Sequence, residues 1–438
     1  MDISNIKKLG ISALGPAEKT SPLGLDRCFF IEEEDQVLLA STLKDLQQCP
    51  EGIPRSFELA GPRRNIYFNP AEIRCGIVSC GGLCPGMNDV IRSLVMMLYY
   101  GYGVQQIIGF RYGFQGLSKV GVKLAVELSP QTVKYIHEDG GTYLGSSRGP
   151  QDAEEMVDTL QELGIKILFV IGGDGTMKGA TKIHAEVREK GLDIGVICIP
   201  KTIDNDLEYV TRSFGFTTAV EEARKAISGA HVEALGALNG VGLVKLMGRH
   251  SGFIAAHAAL ASGNVNFCLV PEHPIRLSGK GGLLEELVLR LKEKHHAVIV
   301  VAEGAGQDFL VDDEPNKQDA SGNLRLKNIG LFLQEKILDY CADRELEVTL
   351  KYIDPSYIIR SLPATAYDSS FCMVLGHQAA HAGMAGKTGL MIGHWNNHFI
   401  HVPLSMVTGR RRQLDDATWQ RVLETTGQKH SITKNSTC

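Results

Sequence analysis

The stretch IKILFVIGGDGT, at positions 165–176, sets the fold class of this chain. Its first seven residues are almost all apolar and do not alternate with polar residues, which is typical of a strand buried on both faces of a parallel sheet. Gly172, Gly173 and Gly175 follow directly, and Thr176 can cap a helix. A strand, a glycine turn and a helix in this order predict one βα unit of an α/β protein.

Similar short segments rich in valine and isoleucine recur along the chain. They lie at 73–79, 106–110, 165–171, 194–199, 241–247, 267–270, 297–302 and 348–353. Stretches with helical spacing separate several of them, as in 217–232, where Val220, Ala223, Ile227 and Ala230 share one helix face. The pattern fits one barrel or two doubly wound domains. We predict two α/β/α domains with parallel sheets, because no fixed repeat is present and the candidate loops cluster in two regions.

Composition limits the function classes. The 438 residues contain 44% hydrophobic and 22% charged residues, with a net charge of −5. This balance argues against nucleic acid as a partner. No apolar run approaches the roughly 18 residues of a membrane span, and the N-terminus lacks a signal-peptide core. The ten cysteines show no paired CxxC spacing for zinc. We expect a soluble cytoplasmic protein that has no membrane partner.

Two glycine-rich loops are candidate phosphate sites. GGLCPGMN, at 81–88, follows the first predicted strand, and backbone N–H groups at such a loop can face an anion. GGDGT, at 172–176, is not the dinucleotide fingerprint, because Lys178 stands where a third glycine is required. Asp174 could hold Mg²⁺ there, and Thr176 could donate to phosphate. The alternatives are ordinary tight turns.

PKTIDND, at 200–206, is the most unusual strand exit in the chain. Burying the charges of Asp204 and Asp206 at the end of a buried strand costs free energy unless these carboxylates pair with other groups or bind metal. One carboxylate could accept a proton from a hydroxyl while the other faces a cation; helix capping is the alternative. The Walker-like GKT at 386–388 is rejected, because His381 occupies the position of the required glycine.

Later strand ends carry further polar residues. Arg249, Arg360 and Lys351 together could grip a phosphate, and Glu303 could accept hydrogen bonds from sugar hydroxyls. Each residue alone has a plain structural explanation: Tyr357, for example, would more often be a core residue.

These segments, in this order, resemble the phosphofructokinase family over about residues 60–393. The matching motifs are GGLCPGMND, YLGSSRG, IGGDGT, PKTIDND, FGFTTAVEEA, VKLMGRHSGFIA, VPE, VAEG and DPSYIIR. PKTIDND and the N-terminal extension are similar to the branch shared by plant, protist and some bacterial enzymes.

The resemblance implies two Rossmann-like α/β/α domains with the active site in the cleft between them. The expected boundaries are an N-terminal extension at 1–70, partly helical near 35–47; a nucleotide-binding domain at 71–216 with 359–405; a sugar-phosphate domain at 217–358; and a tail at 406–438. The implied reaction is Mg²⁺-dependent phosphoryl transfer to the 1-hydroxyl of fructose 6-phosphate. A homo-oligomer is implied, with a tetramer favoured over a dimer.

The resemblance also assigns roles to residues. Asp204 is the implied base, and Thr202, Arg249 and Lys201 complete the catalytic set. The implied ATP site consists of Gly82, Arg148, Gly173, Asp174, Gly175, Thr176 and Gly179. The implied substrate site consists of Thr202, Asp204, Met247, Gly248, Arg249, Glu303, Lys351, Tyr357 and Arg360. Asp174 and Asp206 are the implied Mg²⁺ ligands.

The phosphate donor depends on Gly175. Pyrophosphate-using relatives carry aspartate there, and a carboxylate would crowd and repel the α-phosphate of ATP. Gly175 therefore favours ATP, whereas Lys201 occurs in both branches and leaves pyrophosphate as the alternative. A non-catalytic regulatory subunit is disfavoured, because Asp174, Asp204 and Asp206 are all present.

At two positions the sequence departs from the short bacterial form of the family, so the resemblance does not imply the roles that those positions have there. Gly240 stands where that form has an arginine that reaches into a neighbouring site, and Met96 replaces an effector-pocket arginine. Regulation through that pocket is therefore not carried over.

Overall fold

The computed structural model describes residues 6–24, 29–310, 326–407 and 409–433. The ends of the expected N-terminal extension and C-terminal tail, residues 1–5 and 434–438, lie outside them. The strands are β1 Lys7–Lys8, β2 Ser12–Ala13, β3 Lys19–Thr20, β4 Gln36–Leu38, β5 Arg55–Leu59, β6 Asn65–Ile66, β7 Arg74–Ser79, β8 Gln106–Phe110, β9 Val126–Glu127, β10 Ile165–Gly172, β11 Gly195–Pro200, β12 Gly240–Leu246, β13 Phe267–Leu269, β14 His296–Ala302, β15 Thr349–Ile353, β16 Lys387–Thr388, β17 Leu390–Trp395 and β18 His398–Pro403.

The α-helices are α1 Leu43–Gln47, α2 Met87–Met96, α3 Ala153–Glu162, α4 Asp174–Glu189, α5 Phe216–Leu235, α6 Phe253–Ser262, α7 Leu283–Lys294, α8 Ile329–Ala342, α9 Ser356–Arg360, α10 Ala366–Met384, α11 Leu404–Val407 and α12 Asp416–Thr426. Strands and helices alternate through most of the chain. This confirms the predicted α/β class.

The structure divides into two compact units. Within the described ranges, the first unit consists of residues 6–202, 207–215 and 362–410, and the second of residues 203–206, 216–361 and 411–433. Relative to the boundaries expected from the sequence, the N-terminal region groups with the first unit and residues 411–433 with the second. The functional names of the two domains remain predictions.

The first unit is built on a ten-stranded sheet. Its strand order is β1-β5-β18-β17-β11-β10-β7-β8-β9, with β4 paired to β5. The strands β11, β10, β7 and β8 pair in parallel, as predicted, and β7, β10 and β11 are buried along nearly their whole length. Apolar side chains on these strands pack against α3 and α4, because a parallel strand must be covered on both faces.

One edge of this sheet is antiparallel and extends the parallel core that the sequence predicted. β17 pairs with β18, which in turn pairs with β5. Asn396 and Asn397 join β17 to β18 with φ angles of 48° and 63°. A two-residue turn with both φ angles positive forces consecutive strands to be antiparallel. The N-terminal region therefore contributes β5 to the sheet rather than only flanking it.

The second unit is built on a four-stranded parallel sheet in the order β13-β14-β12-β15. The helix predicted at 217–232 is part of α5, whose buried face includes Ala223, Ile227 and Ala230. Part of the expected tail also belongs here: Trp419 of α12 is buried and stacks on His273, with ring centroids 4.3 Å apart.

Among the helices in the described ranges, none has the length and apolar character to cross a membrane.

A buried charge cluster holds β5 against the last strands of the first unit. Glu58 Oε1 lies 2.7 Å from Arg63 Nη2, 3.1 Å from Lys387 Nζ and 3.4 Å from His401 Nδ1. Burial by itself raises the pKa of the Glu58 carboxyl, but His401, Lys387 and Arg63 together bring this pKa well below its ordinary value. Lys387 of the rejected Walker-like motif therefore has a structural partner.

We expect Glu58→Gln to lower the free energy of unfolding by roughly 3–5 kcal/mol, because the substitution leaves buried cations without their carboxylate. Urea unfolding followed by Trp395 fluorescence, in a Trp419→Phe background, measures this change. The matched control is Glu32→Gln, because the Glu32–Arg64 ion pair is more than half exposed. Glu32→Gln should lower the free energy of unfolding by at most about 1 kcal/mol. Equal losses in the two variants would contradict the prediction.

Candidate functional site

Three strand exits lie side by side in the first unit. Because β7, β10 and β11 are parallel neighbours, the loops after their carboxyl ends emerge at one edge of the sheet. Lys201 follows β11, is 7% exposed, and donates from Nζ to the Gly82 carbonyl oxygen at 2.7 Å. The structure thus joins the first glycine-rich loop to the PKTIDND segment through the lysine that the sequence singled out.

The YLGSSRG loop completes this edge. Ser146 Oγ donates to the Gly81 carbonyl at 2.5 Å, and Gly81 N donates to the Ser147 carbonyl at 3.2 Å. A Cβ on Gly82 would lie 3.5 Å from Nη2 of Arg148. Gly82 and Arg148, predicted separately from the sequence, are therefore neighbours.

The helix α4 begins at this same edge. Its sixteen residues start at Asp174, and Gly173 is its N-cap. A helix N-terminus favours phosphate through its exposed N–H groups and dipole. Asp174 Oδ2 lies 3.0 Å from Lys178 Nζ, one turn along the helix. Thr176 is buried in the first turn of the same helix.

Two glycines of α4 differ in the space around them. No described atom lies within 4 Å of the position that a Cβ of Gly175 would take. At Gly179 a Cβ would meet the Phe114 ring at 2.5 Å, so this position accepts only glycine without a shift. Gly175 is therefore not required by packing among the described residues.

The rest of PKTIDND carries the acidic residues. Thr202 belongs to the first unit, where its carbonyl accepts a hydrogen bond from Ser213 Oγ at 2.5 Å. Asp204 and Asp206 belong to the second unit. Burial raises the pKa of Asp204 to about 7, with further raising by the charges of Asp206 and Glu303; a backbone hydrogen bond from Arg249 and the charge of Arg411 oppose them. Asp204 thus has the environment of a proton acceptor that works near neutral pH.

Asp206 is fixed by residues that the sequence analysis left in the tail. Its Oδ2 accepts from Arg411 Nη1 at 2.8 Å, and its carbonyl accepts from Arg412 N at 2.9 Å. The run of three arginines at 410–412 was the available signal, but nothing in the sequence indicated which carboxylate it meets.

The position of Asp174 is compatible with the Mg²⁺ that the sequence analysis implied. Mg²⁺ is usually held by one or two carboxylates together with substrate phosphates and water. Asp174 lies at a helix start suited to phosphate, and the Lys178 side chain that pairs with it is more than half exposed. The described residues form no cluster of three or more metal-binding side chains.

In the second unit, the MGR segment and Glu303 are held by the main chain. Glu303 N donates to the Leu246 carbonyl at 2.9 Å, and Gly304 N donates to the Gly248 carbonyl at 3.0 Å. Gly248 has a φ of 128°, a conformation that favours glycine. Met247 is buried beside it. Burial raises the pKa of Glu303, and the charges of Lys245 and Arg249 counter this effect.

The helix α9 carries the last two predicted substrate residues. Arg360 stacks its guanidinium over the Tyr357 ring, 4.3 Å from the centroid. Tyr357 is 74% exposed, so it is not the core residue that the structural alternative required; its functional role remains a prediction. Lys351 is exposed on the edge strand β15.

The structure also explains one departure from the bacterial form. Gly240 is the first residue of β12, and a Cβ there would lie 2.1 Å from the Ala234 carbonyl oxygen. The backbone therefore excludes any side chain at this position.

The chain matches the family model for Phosphofructokinase over residues 74–383. It is 50% identical over 420 residues to the ATP-dependent 6-phosphofructokinase of Amycolatopsis methanolica, which covers 94% of this chain and 90% of that protein. It is 44% identical over 418 residues to the ATP-dependent 6-phosphofructokinase 1 of Arabidopsis thaliana, covering 94% and 87%. For the Trypanosoma brucei brucei enzyme the identity is 50% over 378 residues, covering 85% and 77%.

Solved structures agree in fold. The pyrophosphate-dependent phosphofructokinase of Marinobacter aquaeolei has a TM-score of 0.66 and 19% identity, and covers 83% of this chain and 93% of that one. That of Nitrosospira multiformis has a TM-score of 0.64 and 18% identity, covering 79% and 86%. At such low identity these structures support the fold alone. Together with the family match over residues 74–383, they lead to one conclusion: this chain belongs to the phosphofructokinase family.

Proposed function

We propose that this protein is an ATP-dependent 6-phosphofructokinase, which transfers the γ-phosphoryl group of ATP to the 1-hydroxyl of fructose 6-phosphate. The products are fructose 1,6-bisphosphate and ADP. The observation that carries the proposal is Asp204, a buried carboxylate whose pKa is raised to about 7. A hydroxyl group must lose its proton as it attacks phosphorus, and a carboxylate with such a pKa can accept that proton.

Other residues position the sugar phosphate and stabilise the phosphoryl group during its transfer. Arg249 and Thr202 face the transferred phosphoryl group as its negative charge develops. Glu303 accepts hydrogen bonds from the sugar hydroxyls, while Met247 and Gly248 form the adjoining wall. Arg360, Tyr357 and Lys351 bind the 6-phosphate; a guanidinium suits this role because it offers several donors in one plane.

The proposed ATP site consists of residues of the first unit. Gly82, Gly173 and Gly175 leave the backbone open to the phosphates, Arg148 adds positive charge, and Thr176 and Gly179 complete the proposed ATP site. Lys201 has a positioning role here, because its hydrogen bond fixes the Gly82 carbonyl.

Asp174 and Asp206 are the residues that would hold Mg²⁺. The ion, when bound with ATP, neutralises phosphate charge during the transfer. We further infer that the enzyme works in the cytoplasm as a homo-oligomer, a tetramer rather than a dimer, because family members complete their sugar sites across subunits.

The donor is tested with purified protein in an assay coupled to fructose 1,6-bisphosphate formation. We expect turnover with ATP and Mg²⁺, and none with pyrophosphate, because Gly175 leaves space beside the phosphates. Removal of Mg²⁺ with a chelator should abolish the reaction. Turnover with pyrophosphate alone would show that Lys201 and its loop outweigh Gly175 in selecting the donor.

For Asp204→Ser we expect kcat to fall by several orders of magnitude while KM for fructose 6-phosphate changes little, because the base is lost and the sugar contacts remain. Steady-state kinetics measure both constants. Asp204→Asn, which keeps the side-chain shape, should show the same fall in kcat and the same small change in KM. A kcat close to that of the unchanged enzyme in either variant would remove Asp204 from the role of base.

Gly175→Asp tests donor choice without a packing penalty, since the space around Gly175 is open. We expect KM for ATP to rise at least tenfold, because the carboxylate repels the nucleotide phosphates, while the affinity for fructose 6-phosphate is retained. Gly175→Ala is the matched control and should leave KM for ATP within about twofold. If both variants behave alike, size rather than charge governs this position.

A further inference from the structure

A partly buried ion pair lies next to the sugar residues but outside the predicted site. β12 pairs in parallel with β15 so that Val244 stands opposite Ile353, which places the next residues, Lys245 and Asp354, at the same level. Lys245 Nζ lies 2.6 Å from Asp354 Oδ2, and the two side chains are 13% and 25% exposed. Exposed ion pairs contribute at most about 1 kcal/mol and buried ones little net stability compared with apolar residues of the same size, so stability alone does not account for this partly buried pair.

Asp354 controls the start of α9. Its Oδ1 accepts hydrogen bonds from Ser356 N at 3.2 Å and from Ser356 Oγ at 2.6 Å. A helix of five residues is too short to fix its own direction, because nucleation is costly and few internal hydrogen bonds form. Ile359 packs α9 into the core of the second unit, and Asp354 adds the contacts at its first residue. The orientation of Tyr357 and Arg360 therefore depends on both residues.

Lys245 faces Glu303 from the neighbouring strand. β12 and β14 are in register up to Leu246 and Ala302, and Glu303 follows directly. The charged groups around Glu303 are Lys245 and Asp354, then Arg249 and Arg360, and it also interacts with Asp204. Burial raises the pKa of Glu303, and among the opposing charges that of Lys245 lowers it most.

Resting on the proposed function, we propose that Lys245 and Asp354 are positioning residues of the sugar-phosphate site. Asp354 helps to set the direction of α9 and so the placement of Tyr357 and Arg360. Lys245 anchors Asp354 and keeps Glu303 negatively charged, the form that accepts hydrogen bonds from the sugar hydroxyls. Neither residue touches the reacting atoms, so the pair governs affinity for fructose 6-phosphate and not the rate of transfer.

The test is Lys245→Met, with fructose 6-phosphate as the probe. We expect KM for fructose 6-phosphate to rise at least tenfold, with kcat and KM for ATP each within about twofold. Lys245→Arg, which keeps the charge, should recover most of the affinity. Unchanged KM for fructose 6-phosphate in Lys245→Met, or equal rises in both KM values, would overturn the proposal.

Lys387→Met is the matched control. Lys387 is also a buried lysine in an ion pair, 14% exposed and 3.1 Å from Glu58, but it lies in the first unit. General loss of stability should lower the melting temperature of both variants, whereas only Lys245→Met should raise KM for fructose 6-phosphate. If Lys245→Met fails to fold, Asp354→Asn replaces it, and the same selective rise in KM is expected because the ionic anchor is lost.

Measuring KM for fructose 6-phosphate over a range of pH distinguishes a positioning role of Lys245 from a general effect on stability. Because Lys245 lowers the pKa of Glu303, its removal raises that pKa, and protonated Glu303 no longer accepts hydrogen bonds as a carboxylate. The rise in KM for fructose 6-phosphate on acidification should therefore begin at a higher pH in Lys245→Met. Glu303→Gln should remove this rise, and an unshifted profile in Lys245→Met would contradict the role assigned to Lys245.

Calorimetric binding of fructose 6-phosphate without ATP distinguishes this inference from the proposed function. Binding by the unchanged protein without turnover would refute the kinase function, while weaker binding by Lys245→Met would still support the ion pair's role. Absence of binding by the unchanged protein would overturn both.

Discussion

Parallel strand pairing is the constraint on which the candidate site depends. In the main sheet of each unit the central strands run the same way, so their carboxyl ends meet at one edge. Residues far apart in sequence, such as Gly82 and Lys201, then become hydrogen-bonding neighbours. Burial of these strands on both faces also leaves little freedom in register, because a slipped strand would lose its apolar contacts.

Much of the fold could be read from apolar runs that end in glycine or a charged residue. GGDGT and PKTIDND were identified in this way, because the cost of burying charge makes Asp204 and Asp206 conspicuous. The antiparallel edge was not identified. β5, β17 and β18 carry Glu58, His394, Trp395 and His401, and so lack the uniform apolar character of the central strands.

The contacts that the sequence did not predict are those made between distant side chains. Arg411 and Asp206 are 205 residues apart, and no local periodicity connects them. Lys245 sits in an otherwise apolar strand, and only the register with β15 reveals its partner Asp354. Motif reasoning finds residues clustered in sequence, whereas the pairing of buried charges depends on the assembled sheet.

The contact between Asp206 and the arginines near the C-terminus also bears on synthesis of the chain. The second unit draws on residues 203–206, 216–361 and 411–433, so the ribosome makes Asp206 205 residues before its partner Arg411. Until Arg411 and Arg412 have emerged from the exit tunnel, the carboxylate and carbonyl of Asp206 lack two native donors. Maturation of the acidic segment thus waits for the synthesis of Arg411 and Arg412, and a chain terminated before them would carry the glycine-rich loops without the two contacts that hold Asp206.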